Sequence, residues 1–447
     1  MVDPLIVPRS EHTISRRAID ADALKVLYRL KQHNHLAYLV GGSVRDLLLD
    51  RHPKDYDVGT SAHPYEVKRL FRNCWIIGRR FRLAHVRFGP NKVIEVATFR
   101  RKAEPGEMPM PDATAAPAAD HRLVHRDNTF GTPEEDAFRR DFTVNALFYD
   151  IETFSIIDYV GGMADLRNRV LRSIGDPNER FLEDPVRMLR AVVLAERLDF
   201  SIDPASLDAV ARHGAEITKA SPARMLEEYY KILRSGASER IFRRLADVDL
   251  LRHISPELVD PPDEVWQSLE ELDEYRARFT SAPDTLTNPI LIGSLLAPLG
   301  MMSRRPRRRH EEPEGETPRA RPPKPPRLSL GMLPIARGDV EHLRHILALQ
   351  SRLAEQPPSP RAQRSLMHRS TFADAMTWMD IHGQYPEAVQ HWRGVREAAG
   401  DEIVPEQRHR RRRRRRRRRG PRPGVVPEWG SGFRVQGSGF STRFQGT

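Results

Sequence analysis

Residues 52–64 read HPKDYDVGTSAHP and place two carboxylates, Asp55 and Asp57, on either side of one tyrosine. In an extended strand, residues i and i+2 face the same way with Cα atoms roughly 6–7 Å apart. Two such acids repel each other, and a cation between them relieves the repulsion. Their span suits a divalent ion or a metal pair roughly 3.5–4 Å apart. Mg²⁺ favours hard oxygen ligands and keeps places for water and substrate phosphate oxygens. The expected chemistry is metal held under a nucleotide's phosphates. On its own a D-x-D pair is more often a solvated turn, so its neighbours decide.

The stretch LVGGSVRD, residues 39–46, ends a strand and opens a helix. Two glycines let backbone N–H groups approach phosphate oxygens, and a helix N-terminus favours negative charge. Arg45 stands one turn into that helix, placed to pair with a triphosphate. In KVIEVATFR, Glu95 lies inside an apolar run, where an unpartnered acid is costly to bury. It is the candidate third carboxylate, and the plain alternative is a surface-facing residue on a half-buried strand. FRRDFTVNAL supplies Arg139, Arg140, Asp141 and Asn145, and EDPVRMLRAV supplies Glu183, Asp184, Arg187 and Arg190. The i, i+3 spacing of Asp184, Arg187 and Arg190 predicts one shared helix face. A carboxylate accepting from an exocyclic amine beside an arginine donating to a ring nitrogen matches adenine or cytosine and rejects guanine and uracil. The plain alternative is an intrahelical ion pair of small worth.

These residues need a frame. Residues 19–35 carry Ala23, Val26, Leu27 and Leu30 at helical spacing, with Asp20 or Asp22 as cap. AYLV (37–40) and KDYDV read as strands, SAHPYEVKRLFRN as a capped helix, and WIIG, RLAHVRFG and KVIEVATFR as further strands. Residues 103–126 read as a loop rich in Pro, Ala and Asp, followed by a short strand around ALFYDIETFSIIDYV. From about 164 the pattern is almost wholly helical. Residues 303–327 form a charged, proline-rich linker, a second helical block covers 328–395, and disorder is expected beyond.

The chain has 447 residues, which implies two or three domains. Its one cysteine, Cys74, excludes a disulfide framework within the chain and fits a reducing compartment. Net charge is +12, but Arg410–Arg419 are ten consecutive arginines, so all other residues sum to +2. Such a run stays extended and binds polyanions without sequence preference. No apolar face accompanies it for a membrane surface. No signal peptide is evident, and the most apolar window, 289–302, is too short to span a bilayer and reads as a buried helix. A cytoplasmic location and no membrane partner are expected.

LVGGSVRDLLL, KDYDV, IEVATFR, RRDFTVNAL, DYVGGMADLRNRVLRSIGDP and EDPVRMLRA, in this order, resemble the class II nucleotidyltransferases, the family of bacterial poly(A) polymerases and CCA-adding tRNA enzymes. The likeness covers about residues 14–235. ISRRAIDADALKVLYRL, GRRFRLAHV and PARMLEEYYKILRSG are similar to the poly(A) polymerase branch. The resemblance implies an α+β chain. A mixed, polymerase-β-like catalytic head (14–163) would precede a helical nucleotide- and RNA-binding neck (164–302), the linker (303–327), a helical RNA-binding body (328–395) and a disordered Arg-rich tail (396–447).

The resemblance further implies that Asp55 and Asp57 ligate two Mg²⁺ ions and that Glu95 completes the acidic triad. Gly42 and Arg45 would contact the triphosphate. Arg140, Asp184, Arg187 and Arg190 would bind the nucleotide, with Asp184 and Arg187 reading the base. The implied reaction is template-independent transfer of AMP from ATP to RNA 3′-hydroxyl ends of mRNA and other transcripts. RNA decay is the implied outcome, and RNA-decay proteins are the implied partners. The alternatives are CCA addition to tRNA and an RNA-binding protein without catalysis. One position departs from the pattern: where the family often reads RAVRFA, this chain reads RAVVLA, with Val193 in place of an arginine and one fewer cation expected near the nucleotide.

Overall fold

A computed structural model of the chain describes residues 3–78, 82–89, 92–102, 129–302, 328–355, 359–383 and 385–398. The expected loop at 103–126, the linker at 303–327, the first part of the GRRFRLAHV stretch and the tail from 399 onward lie outside the described residues. Residues 396–398, assigned to the tail by sequence, close a helix.

The head is built on one sheet. In chain order its elements are β1 (Leu5–Val7), α1 (Ala21–Gln32), β2 (Ala37–Val40), α2 (Gly42–Leu48), β3 (Asp57–Thr60), α3 (Pro64–Leu70), β4 (Cys74–Ile77), β5 (Leu83–Phe88), β6 (Lys92–Thr98), α4 (Pro133–Arg139), β7 (Leu147–Asp150) and β8 (Ser155–Asp158). Sheet order is β1-β8-β7-β2-β3-β6-β5-β4. Only β3 and β6 run parallel within it. The mixed head inferred from sequence is thus present. Helix α1 follows its pattern: Asp20 accepts from the Asp22 and Ala23 backbone N–H groups, and Ala23, Val26, Leu27 and Leu30 are buried. Two strands differ from expectation. ALFYDIETFSIID is a hairpin of β7 and β8 rather than one strand, and β1 pairs with β8 at the sheet edge.

The two faces of the sheet are filled differently. One face carries Leu39, Val58, Ala84, Val86, Ile94 and Val96 against the apolar stripe of α1. On the other face a smaller cluster of Val40, Phe99, Ala137, Ala146, Phe148 and Ile174 covers only the β2–β7 half. Gly59 makes that cluster fit, because a Cβ there would stand 2.7 Å from a Phe99 ring carbon and 2.9 Å from Val40 Cγ1.

Helices dominate the remainder: α5 (Gly162–Asn168), α6 (Pro177–Glu183), α7 (Val186–Leu198), α8 (Pro204–His213), α9 (Pro222–Leu233), α10 (Ser238–Asp247), α11 (Leu251–Ile254), α12 (Asp263–Ala277), α13 (Asn288–Leu296), α14 (Arg337–Ala354), α15 (Pro360–Met367), α16 (Phe372–Ile381) and α17 (Pro386–Ala398). Helix α13 is buried from Pro289 to Leu296, as its composition implied. A Cβ on Gly293 would meet Leu343 and Trp378 within 2.7 Å, so α13 sits directly against α14 and α16. The segments assigned to neck and body share one apolar core. No helix among the described residues is long and apolar enough to cross a membrane.

Candidate active site

Two of the three acids are brought face to face by strand register. Asp57 opposes Glu95 in the parallel β3–β6 ladder, so both side chains leave the same face. Glu95 in turn opposes His85 on β5, and His85 Nε2 lies 3.4 Å from Glu95 Oε1. Glu95 is not a buried acid needing rescue, as its apolar run suggested. Its side chain is 47% exposed, on the open half of the face. Asp55 also departs from expectation. It is exposed and precedes the strand, which begins at Asp57, so i, i+2 alternation is not what aims it.

Electrostatics still join the three. Burial chiefly, then the charges of Glu95 and Asp55, push the Asp57 carboxyl up to about 6, against the opposing pull of Arg140. A carboxylate raised by like charges gains from any cation placed beside it. Among the described residues no three His, Cys, Asp or Glu side chains are gathered closely enough to hold an ion alone. Asp55, Asp57 and Glu95 are thus not gathered into one three-carboxylate cage, and Mg²⁺ is a metal commonly bound by one or two carboxylates plus water and substrate phosphate oxygens. The donor type and the charge state at Asp57 therefore fit the metal implied by the resemblance.

The Gly-Gly turn adjoins these acids. Gly41 has φ +72 and ψ −136, a conformation that side chains disfavour, and it caps α2. A Cβ on Gly41 would stand 3.0 Å from Arg140 NH1, which places that guanidinium at the turn. Arg140 donates to Asp136 Oδ2 at 2.9 and 3.2 Å and to the Asn145 carbonyl at 3.2 Å. Its position at the turn and its electrostatic pull on Asp57 make Arg140 the cation at the acids. Arg45, expected to face phosphates, is buried. It donates to Asp46 Oδ1 at 2.8 and 2.6 Å and to the Asn145 side chain. Its guanidinium still lies under Gly42, where a Cβ would meet it at 3.3 Å.

The expected base-reading face is not one helix face. Pro185 stops α6 at Glu183, and Asp184 adopts φ −145, ψ 91 as its C-cap before α7 begins at Val186. A residue before proline is steered out of helical conformation. Asp184 pairs with Arg224 of α9 at 2.8 and 3.1 Å. Arg187 donates to the Arg180 carbonyl at 3.2 Å and to Glu183 Oε2 at 3.4 Å. Burial, then Arg180, lowers its affinity for its proton. Arg190 turns to Asp141, with Nε and NH2 at 3.0 and 2.5 Å from Oδ2. Burial alone would raise Asp141, but Arg190, Asn145 and the Phe142 N–H hold it below the usual range. Val193 is buried in the helical core, so the position of the missing arginine points away from the cleft here.

Several contributors carried no local signal in the sequence. Asp136, one helical turn before Arg140, is recognisable only by i, i+4 spacing. Arg180 donates to the Arg139 and Arg140 carbonyls at 2.7 and 2.6 Å. Arg224, His85 and Glu228, which stands 3.7 Å from Arg190, come from distant segments.

A mixed sheet with acids in register beside a glycine turn at a helix start defines a nucleotidyltransferase-type head. Residues 37–172 match the family described as "Poly A polymerase head domain". Residues 199–260 match "Probable RNA and SrmB- binding site of polymerase A". The chain is 49% identical over 251 residues to Poly(A) polymerase I of Salmonella typhimurium, covering 56% of this chain and 53% of that protein. It is 37% identical over 228 residues to the CCA-adding enzyme of Lactobacillus helveticus, covering 51% and 53%. The chain thus spans about half the length of the curated relatives it matches. A crystal structure of the Bacillus stearothermophilus CCA-adding enzyme in complex with CTP shares the fold, with a TM-score of 0.57 at 24% identity over 85% of this chain and 83% of that one.

Proposed function

We propose that this chain transfers AMP from ATP to RNA 3′-hydroxyl ends without a template. The observation that carries the reading is the Asp57–Glu95 register, with Asp55 acting on Asp57 and Arg140 at the adjoining Gly41 turn. Asp55 and Asp57 would hold two Mg²⁺ ions, which when bound neutralise phosphate charge and acidify the attacking hydroxyl. Glu95 completes the acidic set on the side away from the glycine turn. The Gly42 backbone and Arg140 receive the triphosphate, and Arg45 holds the turn from beneath through Asp46 and Asn145.

Asp184 and Arg187 are suited to an adenine edge, one accepting from the amine and one donating to a ring nitrogen. Base binding then exchanges Arg224 for adenine at Asp184, while Arg190 stays on Asp141 and anchors the cleft. AMP rather than C, C and A addition is favoured by the higher identity to the Salmonella typhimurium protein. On the same likeness, tailing that promotes RNA decay, with decay proteins as partners, is the proposed cellular role.

Extension of a generic single-stranded RNA with ATP alone, and of a trimmed tRNA with CTP alone, tests the reading. Long A tails on the generic RNA are expected. CTP use confined to the tRNA would assign the sister activity, and Mg²⁺-independent RNA binding without incorporation would assign a binding protein.

A further inference from the structure

We propose that the open face of β4, β5 and β6 is the path by which the RNA 3′ end reaches the acids, with Trp75 as its stacking platform. This rests on the nucleotidyl-transfer reading and adds the acceptor side, distinct from the 199–260 segment that matches an RNA-binding family.

The register gives one continuous row. Trp75 opposes His85, His85 opposes Glu95, and Glu95 opposes Asp57. Paired residues share a face, so four side chains line up from the edge strand to the central acid. Strand spacing of roughly 4.8 Å puts Trp75 about 10 Å from the Glu95 strand, within reach of the last few nucleotides. Alternation places Ile77, Arg87 and Val93 on the same face, and Cys74, Ala84, Val86, Ile94 and Val96 on the packed one.

Exposure follows that alternation. Trp75 is 51% exposed, Ile77 50% and Val93 42%. Trp75 and Ile77 lie on the edge strand β4, where exposed large apolar side chains invite association and are usually avoided, and Val93 lies two strands in on β6. Here they adjoin His85 and the exposed Arg87, an aromatic and basic combination that suits stacked bases beside phosphates.

Direction comes from what covers the other half. Beyond Asp57, on the β2 side, the same face is filled by Val40, Phe99, Phe148 and Ala137 and bordered by the Gly41 turn and Arg140. That side is where the triphosphate is placed. In-line transfer needs the attacking hydroxyl opposite the leaving group, so the acceptor strand enters from the Glu95 side, across β5 and β4. His85, in contact with Glu95, marks the junction of path and acids.

The full chain and its Trp75→Ala and Trp75→Phe variants test this with a generic single-stranded RNA and ATP. Trp75→Ala should raise the KM for RNA about tenfold, the scale of one base–aromatic stack. The KM for ATP should stay within about twofold, and Trp75→Phe should recover most of the loss. RNA bearing 4-thiouridine near its 3′ end should photocross-link to the β4 peptide in the unaltered protein. An unchanged RNA KM in Trp75→Ala, or cross-links confined to other elements, overturns the path. So does loss of self-association in Trp75→Ala with RNA KM intact, which would assign the patch to a second copy. If the unaltered chain extends no RNA, the transfer reading fails, and the cross-link still decides the path.

Discussion

Asp57 and Asp141 are both aspartates withdrawn from solvent in the head, and their surroundings treat them in opposite ways. Asp57 is half-buried beside Glu95 and Asp55, with Arg140 pulling the other way, and its carboxyl is pushed up to about 6. Asp141 accepts from Arg190, Asn145 and its neighbour's N–H, and its carboxyl is held down. The first region is left electrostatically incomplete and open on one side. The second is complete within the protein. A site awaiting a cationic ligand should look like the first, and a hinge point holding helices against the sheet should look like the second. Of the four nucleotide-binding candidates besides Gly42 and Arg45, the structure leaves Arg140 at the acids. Arg190 is committed to Asp141, while Asp184 pairs with Arg224, and Arg187 with Glu183 and the Arg180 carbonyl.

The strongest way to break the contrast is at the incomplete site. Asp57→Ala and Asp55→Ala should each lower AMP incorporation at least about a thousandfold, because several kcal/mol of charge stabilisation at the phosphates depends on them. Circular dichroism should show the fold retained. Substantial remaining incorporation would remove the acids from the chemistry. Next comes Val193→Arg, which supplies the arginine that the resemblance led one to expect there. Since Val193 is in the core, the change should cost about 4 kcal/mol or more through a buried unpaired charge. A variant as stable as the parent, read by urea unfolding, would show that the position reaches the cleft.

At the complete site, Arg190→Ala should cost roughly 3 kcal/mol, since it leaves the largely buried Asp141 without its charge partner. A loss confined to ATP affinity, with stability intact, would turn Arg190 from anchor into ligand. Arg224→Ala tests the exchange at Asp184. Its exposed pair contributes under about 1 kcal/mol, so stability should barely change while the KM for ATP falls two- to fivefold as the competitor goes. A raised KM would mean that Arg224 orients Asp184 for the base.

The smallest effect is in stability against pH. Asp57 is raised from 3.8 to about 6 on folding, so the folded state binds more protons than the unfolded one between those values. The stability contribution of this group therefore falls as pH rises from about 4 to about 6 and stays low above. In chelator-containing buffer Asp57→Asn should melt above the parent at pH about 7.5 and match it near pH 4. Equal melting at both would mean that Asp57 feels no repulsion.

Much of this site is legible in the chain. D-x-D, the Gly-Gly turn and Glu95 carry local composition, and α1 shows its cap and apolar stripe directly. Other features lack a local signal or were outweighed by one. The i, i+3 spacing of Asp184 and Arg187 suggested a shared helix face, while Pro185 between them ended one helix before the next began. Arg45 looked like a free cation because neither Asn145, 100 residues away, nor the depth of its helix is visible in LVGGSVRD. The β7–β8 hairpin read as one strand because its turn, IETF, lacks the usual Gly or Pro punctuation.

The sequence by itself determined which residue types could do the chemistry: paired acids, a glycine turn before a helix, and arginines near a proline break. These depend on covalent geometry, local propensity and spacing over a few residues. Tertiary structure alone decided which acid faces which, which arginines are already committed, and which half of the sheet stays open. Strand register, and hydrogen bonds and ion pairs across 40 to 100 residues, set those outcomes. They follow from how the whole chain packs and not from any short stretch of it.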